Sequence, residues 1–427
     1  MFSLLGDQNI NQINLFVNRI PYYVPYIITY FFAFIIISII LFFAFIRIKY
    51  RFWALQPVFH VYDVYYWFVN VGIINKDLPL KNRYTNFKNI KTISFDILSK
   101  QNIKDFTLLV QLNYLRNREN IFKPTQDNIL PYFKGHNTKS FWSFYWEKEL
   151  ILDATACSTI EREKLIGVIT GRPLKVTFLQ PLKKVEIEVY YIDYLCVDKN
   201  YRKKGIAPQL IQTHEYNQSH LNKSICVSLF KREDELTGIV PLTVYKSYCF
   251  NMRNWNCPQP LDARMTLLQG DRQNMYYLYN FIKENEAKWL LTILPDMSNL
   301  IELITSKNIF ISMILIDGNI EAAYIFKKSC TYIEKDKEII CCIASIYSNK
   351  LSQEEFIRAF KVSLWSIIER PENKSFHYLI VEDTNDNGCI IRNIERKTHP
   401  TVISPTAYFF YNFAYNTFKS EDVLIIC

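Results

Sequence analysis

Between Val197 and Pro208 the chain gathers one arginine, two lysines and a glycine into a single short loop, Arg202-Lys203-Lys204-Gly205-Ile206-Ala207. Those residue types at that spacing suit the holding of a pyrophosphate. Loop amides and a helix N-terminus aim partial positive charge at the anion, a glycine lets the backbone come close, and basic side chains add whole charges. For the amides to converge, the loop has to be framed by a strand and a helix. Val185 to Val197 is a β-branched and aromatic run that predicts a long strand. An amphipathic helix is predicted from about Pro208, anchored by Leu210 and Ile211. An ordinary buried strand followed by a basic surface turn has the same local pattern.

Length and composition limit what such a loop can serve. At 427 residues the chain exceeds what one ordinary core holds, which predicts two domains or a doubled fold. A formal charge of +9 suits a CoA-phosphate site or an anionic membrane surface. There is no dense Lys/Arg tract, which argues against a nucleic-acid partner. The ten cysteines are scattered with no C-x-x-C pair, and read as buried thiols in a reducing compartment. Six histidines are equally dispersed and form no H-E-x-x-H, so neither a metal nor a prosthetic group is expected.

Tyr26 to Ile46 carries no charge and is built almost wholly from Ile, Phe, Leu, Ala and Tyr. At about 1.5 Å per residue it reaches roughly the 30 Å of a bilayer core. Its length and its start well inside the chain argue against a cleaved signal peptide. A buried core helix is the other reading of such a run. Arg47, Lys49 and Arg51 crowd its C-terminal edge, against only Arg19 and Asp7 on the other side. The positive-inside rule then predicts a single-pass membrane protein whose large C-terminal part faces the cytoplasm.

The R-x-x-G-x-A text of the basic loop resembles the acetyl-CoA loop of the GNAT acyltransferase fold. Its flanks narrow the resemblance. Tyr194-Leu195-Cys196-Val197, the loop, and then Ala207-Pro208-x-Leu210-Ile211 are similar to the first signature of N-myristoyltransferases. In that family an FLCV segment precedes a phosphate loop and an APxLI helix start. Arg51-Phe52-Trp53-Ala54-Leu55-Gln56-Pro57-Val58 resembles the family's FWxTQPV, with Leu55 where the family has Thr. LIGVITGRPLKV, from Leu165 to Val176, reads as a strand and resembles KLVGFISAIP. The close of the chain, Tyr408 to Phe413 and Val423 to Cys427, resembles the family's YYLYNW and apolar terminus.

The resemblance covers about residues 51 to 427. It implies an α+β protein of two fused GNAT-like acyltransferase halves, preceded by one N-terminal transmembrane helix. The implied organisation is a short segment 1–25, a span 26–46, an acyl-CoA-binding half 51–245 and a peptide-binding half 246–427. The implied reaction moves a fatty acyl group from myristoyl-CoA, a co-substrate, to the N-terminal glycine amine of proteins. Arg51, Phe52, Trp53, Cys196, Val197, Arg202, Lys203, Gly205, Ile206 and Ala207 would hold acyl-CoA. Tyr194 and Leu195 would join them, their backbone N–H groups polarising the thioester carbonyl. Asp193 and Gly238 would lie beside the peptide. The main-chain carboxylate of Cys427, carried inward by Val423 to Ile426, would be the base, with burial raising its pKa.

Most departures from the family pattern fall on the peptide side. Asp193 stands at a family Asn, and Leu236-Thr237-Gly238 keeps only the glycine of a Thr-Ala-Gly stretch. Met252 falls near a family histidine, KTHPTVISPTA replaces a glycine-rich loop before Tyr408, and Arg116-Asn117-Arg118 replaces an acidic run. A weaker preference for a basic peptide residue is therefore expected, with Glu382 and Asp383 as compensation if they line the groove. Two other functions fit: a GNAT-fold enzyme acylating lysine or a small-molecule amine, and a silent membrane-tethered acyl-CoA or peptide binder. Elsewhere, periodicity predicts a helix through Phe106, Leu109, Val110, Leu112 and Leu115, capped by Asp105, and another from Gln353 to Ile368. Strands are predicted over Ile225 to Phe230, Ile309 to Ile316, Ile320 to Phe326, Glu338 to Tyr347 and Ser375 to Glu382.

Overall fold

The computed structural model describes residues 23–68, 71–115, 120–153, 158–180, 183–233, 238–334 and 336–427. They divide into two units, Met1–Gln56 and Pro57–Cys427. In the first, α1 (Val24–Lys49) is a 26-residue helix with Arg47 and Lys49 in its last turn. Within its stretch Tyr26–Lys49 an 18-residue window has a mean hydropathy of 2.8. Apart from the buried Ile46, the Ile, Phe and Leu side chains along it are exposed, so α1 is not the buried core helix that such a run could also form. Length and apolarity are those of a bilayer crossing, and a signal sequence meets the same measure.

The second unit is built on one mixed sheet of fifteen strands among the described residues. Its first part runs β1 (Ile90–Ser94), α2 (Lys100–Asn113), β2 (Asn120–Phe122), β3 (Phe141–Asp153), β4 (Ser158–Gln180), β5 (Lys183–Val197), α3 (Ile206–Leu221) and β6 (Ser228–Glu233). After β7 (Thr243–Asn251) come β8 (Met265–Gln269), α4 (Met275–Glu284), β9 (Leu291–Leu294), α5 (Met297–Thr305), β10 (Ile309–Ile316), β11 (Asn319–Ile333) and β12 (Lys337–Tyr347). The chain ends with α6 (Gln353–Ile368), β13 (Phe376–Glu382), α7 (Asn387–Glu395), β14 (Val402–Tyr411) and β15 (Val423–Ile425).

One device occurs twice. Three consecutive antiparallel strands lead into a 16-residue helix, and the next strand returns parallel to the third: β6 beside β5, and β13 beside β12. This is the two-halved α+β architecture that the sequence predicts. The sheet runs through both halves without a break, in the order β15-β9-β4-β5-β6-β14-β7-β13-β12-β11-β10-β8. The 245/246 border expected between the halves falls inside β7.

Local chemistry explains the element ends. α2 is capped by Ser99, whose Oγ accepts the Asn102 N–H at 3.1 Å. Asp105, expected as the cap, lies inside the helix and accepts from Gln101 Nε2. Ser99 takes that role because its backbone is extended, which lets its hydroxyl turn back onto the first helical turn. α6 starts with a reciprocal Ser352–Glu355 capping box. The closing strand β15 lies parallel to β9 and is buried throughout, and Ile426 N then donates to Ile293 O at 2.9 Å. Four buried apolar side chains, Val423 to Ile426, contribute roughly 1.5–3 kcal/mol each.

Candidate active site

The donor side of the site forms where two strands part. β5 pairs with β6 only at Tyr190–Ser228, Tyr191–Leu229 and Ile192–Phe230, so from Asp193 onward it has no strand on that side. On its other side the register slips between Val168–Cys196 and Thr170–Asp193. Tyr194 and Leu195 thus share one place opposite Ile169, a β-bulge. Tyr194 takes φ +48°, a left-handed conformation that costs a non-glycine residue about 1–3 kcal/mol. Bulge and splay turn the main chain of these two residues out of the ladder, as a backbone donor to a ligand requires. The Tyr194 N–H meanwhile donates to Asp193 Oδ1 at 2.8 Å. This bond engages the Tyr194 N–H within the chain.

Beyond Val197 the basic loop makes an elbow. Arg202 is turned onto the main chain, with Nε donating to Val197 O at 3.2 Å and Nη2 to Asn113 O at 2.6 Å. It builds the elbow, where the sequence reading offered its charge to a phosphate. Lys203 (φ +63°) and Gly205 (φ +77°) bend the chain through the left-handed region. α3 therefore starts at Ile206 with no side chain capping its N-terminus. Pro208 has no N–H, which leaves Gly205, Ile206 and Ala207 to offer backbone donors there, flanked by the exposed Lys203 and Lys204. Such an end attracts anions. Cys196 and Val197 have only main chain to give. Burial pushes the Cys196 thiol up to about 12, and Val197 packs with Ile90, Ile166 and Leu210.

On the acceptor side the last residue of the chain is inside the protein. Cys427 is 7% exposed and packs with Leu174, Val176, Tyr191, Tyr245 and Tyr408. Lys327 Nζ donates to its main-chain oxygen at 2.9 Å, so the terminus has a cation beside it as well as the apolar setting expected. Its thiol lies 3.1 Å from the Tyr408 hydroxyl. Tyr191, on β5, is raised well above the ordinary phenol value by burial, then by Cys427 and Asp193. Tyr132 is raised well above it by burial and Cys330, and also senses Arg172, Asp193 and Cys427. Asp193 and Cys427 both act on the buried Tyr191 and Tyr132 phenols, while Tyr194 packs with Trp142 and Phe133, in a cluster apart from Tyr191 and Cys427.

Other expected residues lie elsewhere. Gly238 gives its carbonyl to Val61 N at 3.0 Å, and no contact among the described residues joins it to Asp193 or Cys427. Arg51, Phe52 and Trp53 belong to the first unit, where the Phe52 and Trp53 rings meet edge-on at 5.1 Å beside the turn Trp53–Leu55. Glu382 is held by Lys231 Nζ at 2.7 Å and the Tyr245 hydroxyl at 2.9 Å, so it is not open to a peptide lysine. Arg116 to Arg118 and Leu236-Thr237 lie outside the described residues, as does Cys157. The nine described cysteines are all free; Cys257 is exposed, against the expectation of burial.

The sequence reading missed Arg172, Tyr132 and Lys327. Arg172 had a visible signal, being a charged residue in an apolar strand at the place of an Ile in KLVGFISAIP. Tyr132 and Lys327 had none, since they come from distant segments. A cavity of about 460 Å³ lies on the opposite face of β4, lined by Lys175, Thr177, Thr292, Asp296 and the side chain of Ile426.

Residues 75–231 match the family described as Myristoyl-CoA:protein N-myristoyltransferase, N-terminal domain. Among solved structures, Saccharomyces cerevisiae N-myristoyltransferase with bound myristoyl-CoA is similar with a TM-score of 0.63 at 15% identity, over 87% of this chain and 94% of that one. The yeast enzyme with bound myristoyl-CoA and inhibitors gives 0.64 at 16% identity, over 87% and 91%. At such identities the structural likeness is one of fold.

Proposed function

We propose that this chain, whose residues 75–231 match the N-myristoyltransferase family, transfers a fatty acyl group from myristoyl-CoA to the N-terminal glycine amine of a protein. The observation that carries this reading is the terminus of Cys427, buried with Tyr191 of the splayed strand β5. The elbow at Lys203–Ala207 would hold the CoA phosphates, and the bulge at Tyr194 and Leu195 would direct main-chain N–H groups at the thioester oxygen. Fixed donors of this kind contribute about 3 kcal/mol each to such transition states. The amine nitrogen attacks the carbonyl carbon, the new C–N bond forms, and the C–S bond breaks to release CoA thiolate. An amine of pKa about 8 is mostly protonated at neutral pH. The Cys427 carboxylate takes the proton it must lose.

α1 would anchor the enzyme as a single span, its basic end on the cytoplasmic side. Carbonate extraction and protease protection of a C-terminal reporter test that anchor: release by carbonate, or protection of the reporter in the lumen of intact vesicles, would overturn it. The activity itself is tested by mass spectrometry of the full-length protein with myristoyl-CoA and two peptides, one with N-terminal glycine and one blocked with an internal lysine. Acylation of the glycine amine is expected. Acylation of the lysine alone, or of neither peptide, would refute the reading.

A further inference from the structure

Arg172 is the largest buried cation in the acceptor region, with no exposed surface at all, and none of its three nitrogens has a hydrogen-bond partner. A guanidinium carries five N–H donors in a planar fork. Burying it unpaired is among the costlier things a core can do, and such a charge normally implies a partner. The protein's own anions around it are already engaged. Cys427 is held by Lys327, Asp193 accepts from Tyr194 N, and Glu382 has Lys231 and Tyr245. Asp296 accepts from the backbone and side chain of Asn137 and pairs with Lys175 at 3.4 Å.

The position of the guanidinium says where a missing partner would sit. Its Cζ lies 5.0 Å from the Tyr191 ring centroid and 5.4 Å from that of Tyr132. The same Tyr132 ring has Lys327 Nζ at 5.0 Å, and that ammonium holds the Cys427 main chain. Arg172 therefore stands one aromatic ring away from the chain terminus. The Tyr132 hydroxyl, also buried, has no hydrogen-bond partner either. Two adjacent unbonded groups, one a pure donor and one able to donate, call for a ligand group that accepts only. A carboxylate matches the guanidinium fork in two parallel N–H···O bonds and retains lone pairs for the phenol.

We propose that Arg172 and Tyr132 form a carboxylate-binding site, so that the acyl acceptor carries a carboxylate close to its reacting amine. The proposal rests on the acyltransfer reading above and names the acceptor it would take. A nitrogen at the Cys427 carboxylate and a carboxylate at Arg172 would belong to one acceptor that reaches around the Tyr132 ring. The α-carboxylate of a free amino acid and an acidic side chain immediately after an N-terminal glycine are the two sources to compare.

The test uses the full-length protein loaded with a non-transferable thioether analogue of myristoyl-CoA. Calorimetry compares glycine with glycinamide, and a peptide beginning Gly-Asp with one beginning Gly-Asn. The carboxylate member of one pair is expected to bind at least tenfold tighter, and the pair that shows it identifies the source. Arg172→Ile should bring that ratio to about one, Arg172→Gln should do the same, and Tyr132→Phe should reduce it several-fold. Arg172→Ile should also raise the Tm of the ligand-free protein, because it removes an unpaired buried charge. No preference for carboxylate in the wild type, or a preference that survives Arg172→Ile with a lowered Tm, would overturn the proposal. CoA release from authentic myristoyl-CoA separates the two readings. Transfer to amide-only acceptors without preference would leave the function and remove the site. Binding preference without any transfer would leave the site and remove the function.

Discussion

The donor elbow and the acceptor chamber meet on one strand, β5, yet they are built from opposite materials. The elbow is local and mostly backbone: a bulge, three left-handed residues and an uncapped helix end within the stretch from Tyr194 to Ala207, exposed from Arg202 to Gly205. The chamber is buried, non-local and mostly side chain, drawing Tyr132, Arg172, Tyr191, Lys327, Tyr408 and Cys427 from segments far apart in the chain. A site made of backbone tolerates substitution, because most residues supply the same N–H. A site made of buried charges does not, since each group must be answered by another.

The largest effect should come from moving the chamber's base. Appending two alanines to Cys427 displaces the carboxylate while leaving β15 in place. Transfer should fall by about 10²–10⁴-fold, the usual worth of a general base, while acyl-CoA binding persists by calorimetry. Cys427→Ala keeps the carboxylate and should retain activity within a few-fold. Activity surviving the extension would move the base elsewhere, with Asp193 as the next candidate.

The helix behind the elbow gives a second test, through stability. Burial raises the Glu215 carboxyl to about 7, against the hydrogen bonds from Ser228 and Ser219. Its folded pKa thus lies above its unfolded value, so the folded state binds the extra proton and stability falls as pH rises from about 4.5 to 7. Glu215→Gln should remove a penalty on the order of 2–3 kcal/mol at pH 8. His214, lowered to about 4 by burial, works in the opposite direction between pH 4 and 6.5. The variant-minus-wild-type difference in urea unfolding isolates the glutamate. A pH-independent difference would mean that Glu215 is not the buried acid.

Gly205→Val should weaken acyl-CoA binding roughly tenfold, since φ +77° is strained for a β-branched residue although no atom crowds its Cβ. An unchanged Kd would remove the elbow from the binding site. The smallest effect belongs to Lys327→Met. Loss of the cation at 2.9 Å from the terminus should lower kcat/KM only a few-fold. An unchanged kcat/KM would separate Lys327 from the proposed base.

The local features of this protein were determined by its sequence alone. α1, the long strand ending at Val197, the basic loop and the α6 helix over Gln353 to Ile368 each follow from short-range periodicity, turn chemistry or charge. The flank of the loop carried enough specific text to point to the family as well. The Asp105 cap failed because the helix begins at Lys100, before the apolar run that opens at Phe106, and Ser99 caps it. For Arg202 the residue type announces a charge, and only the fold shows that Nε and Nη2 donate to the Val197 and Asn113 carbonyls. The acceptor chamber was decided by tertiary structure. Which phenols stand around Cys427, that Lys327 holds it, and that Arg172 is left without an anion all depend on strands far apart in sequence lying side by side. Burial turns an ordinary arginine into a demand for a partner, and burial is a property of the packed sheet that no single stretch of the chain contains.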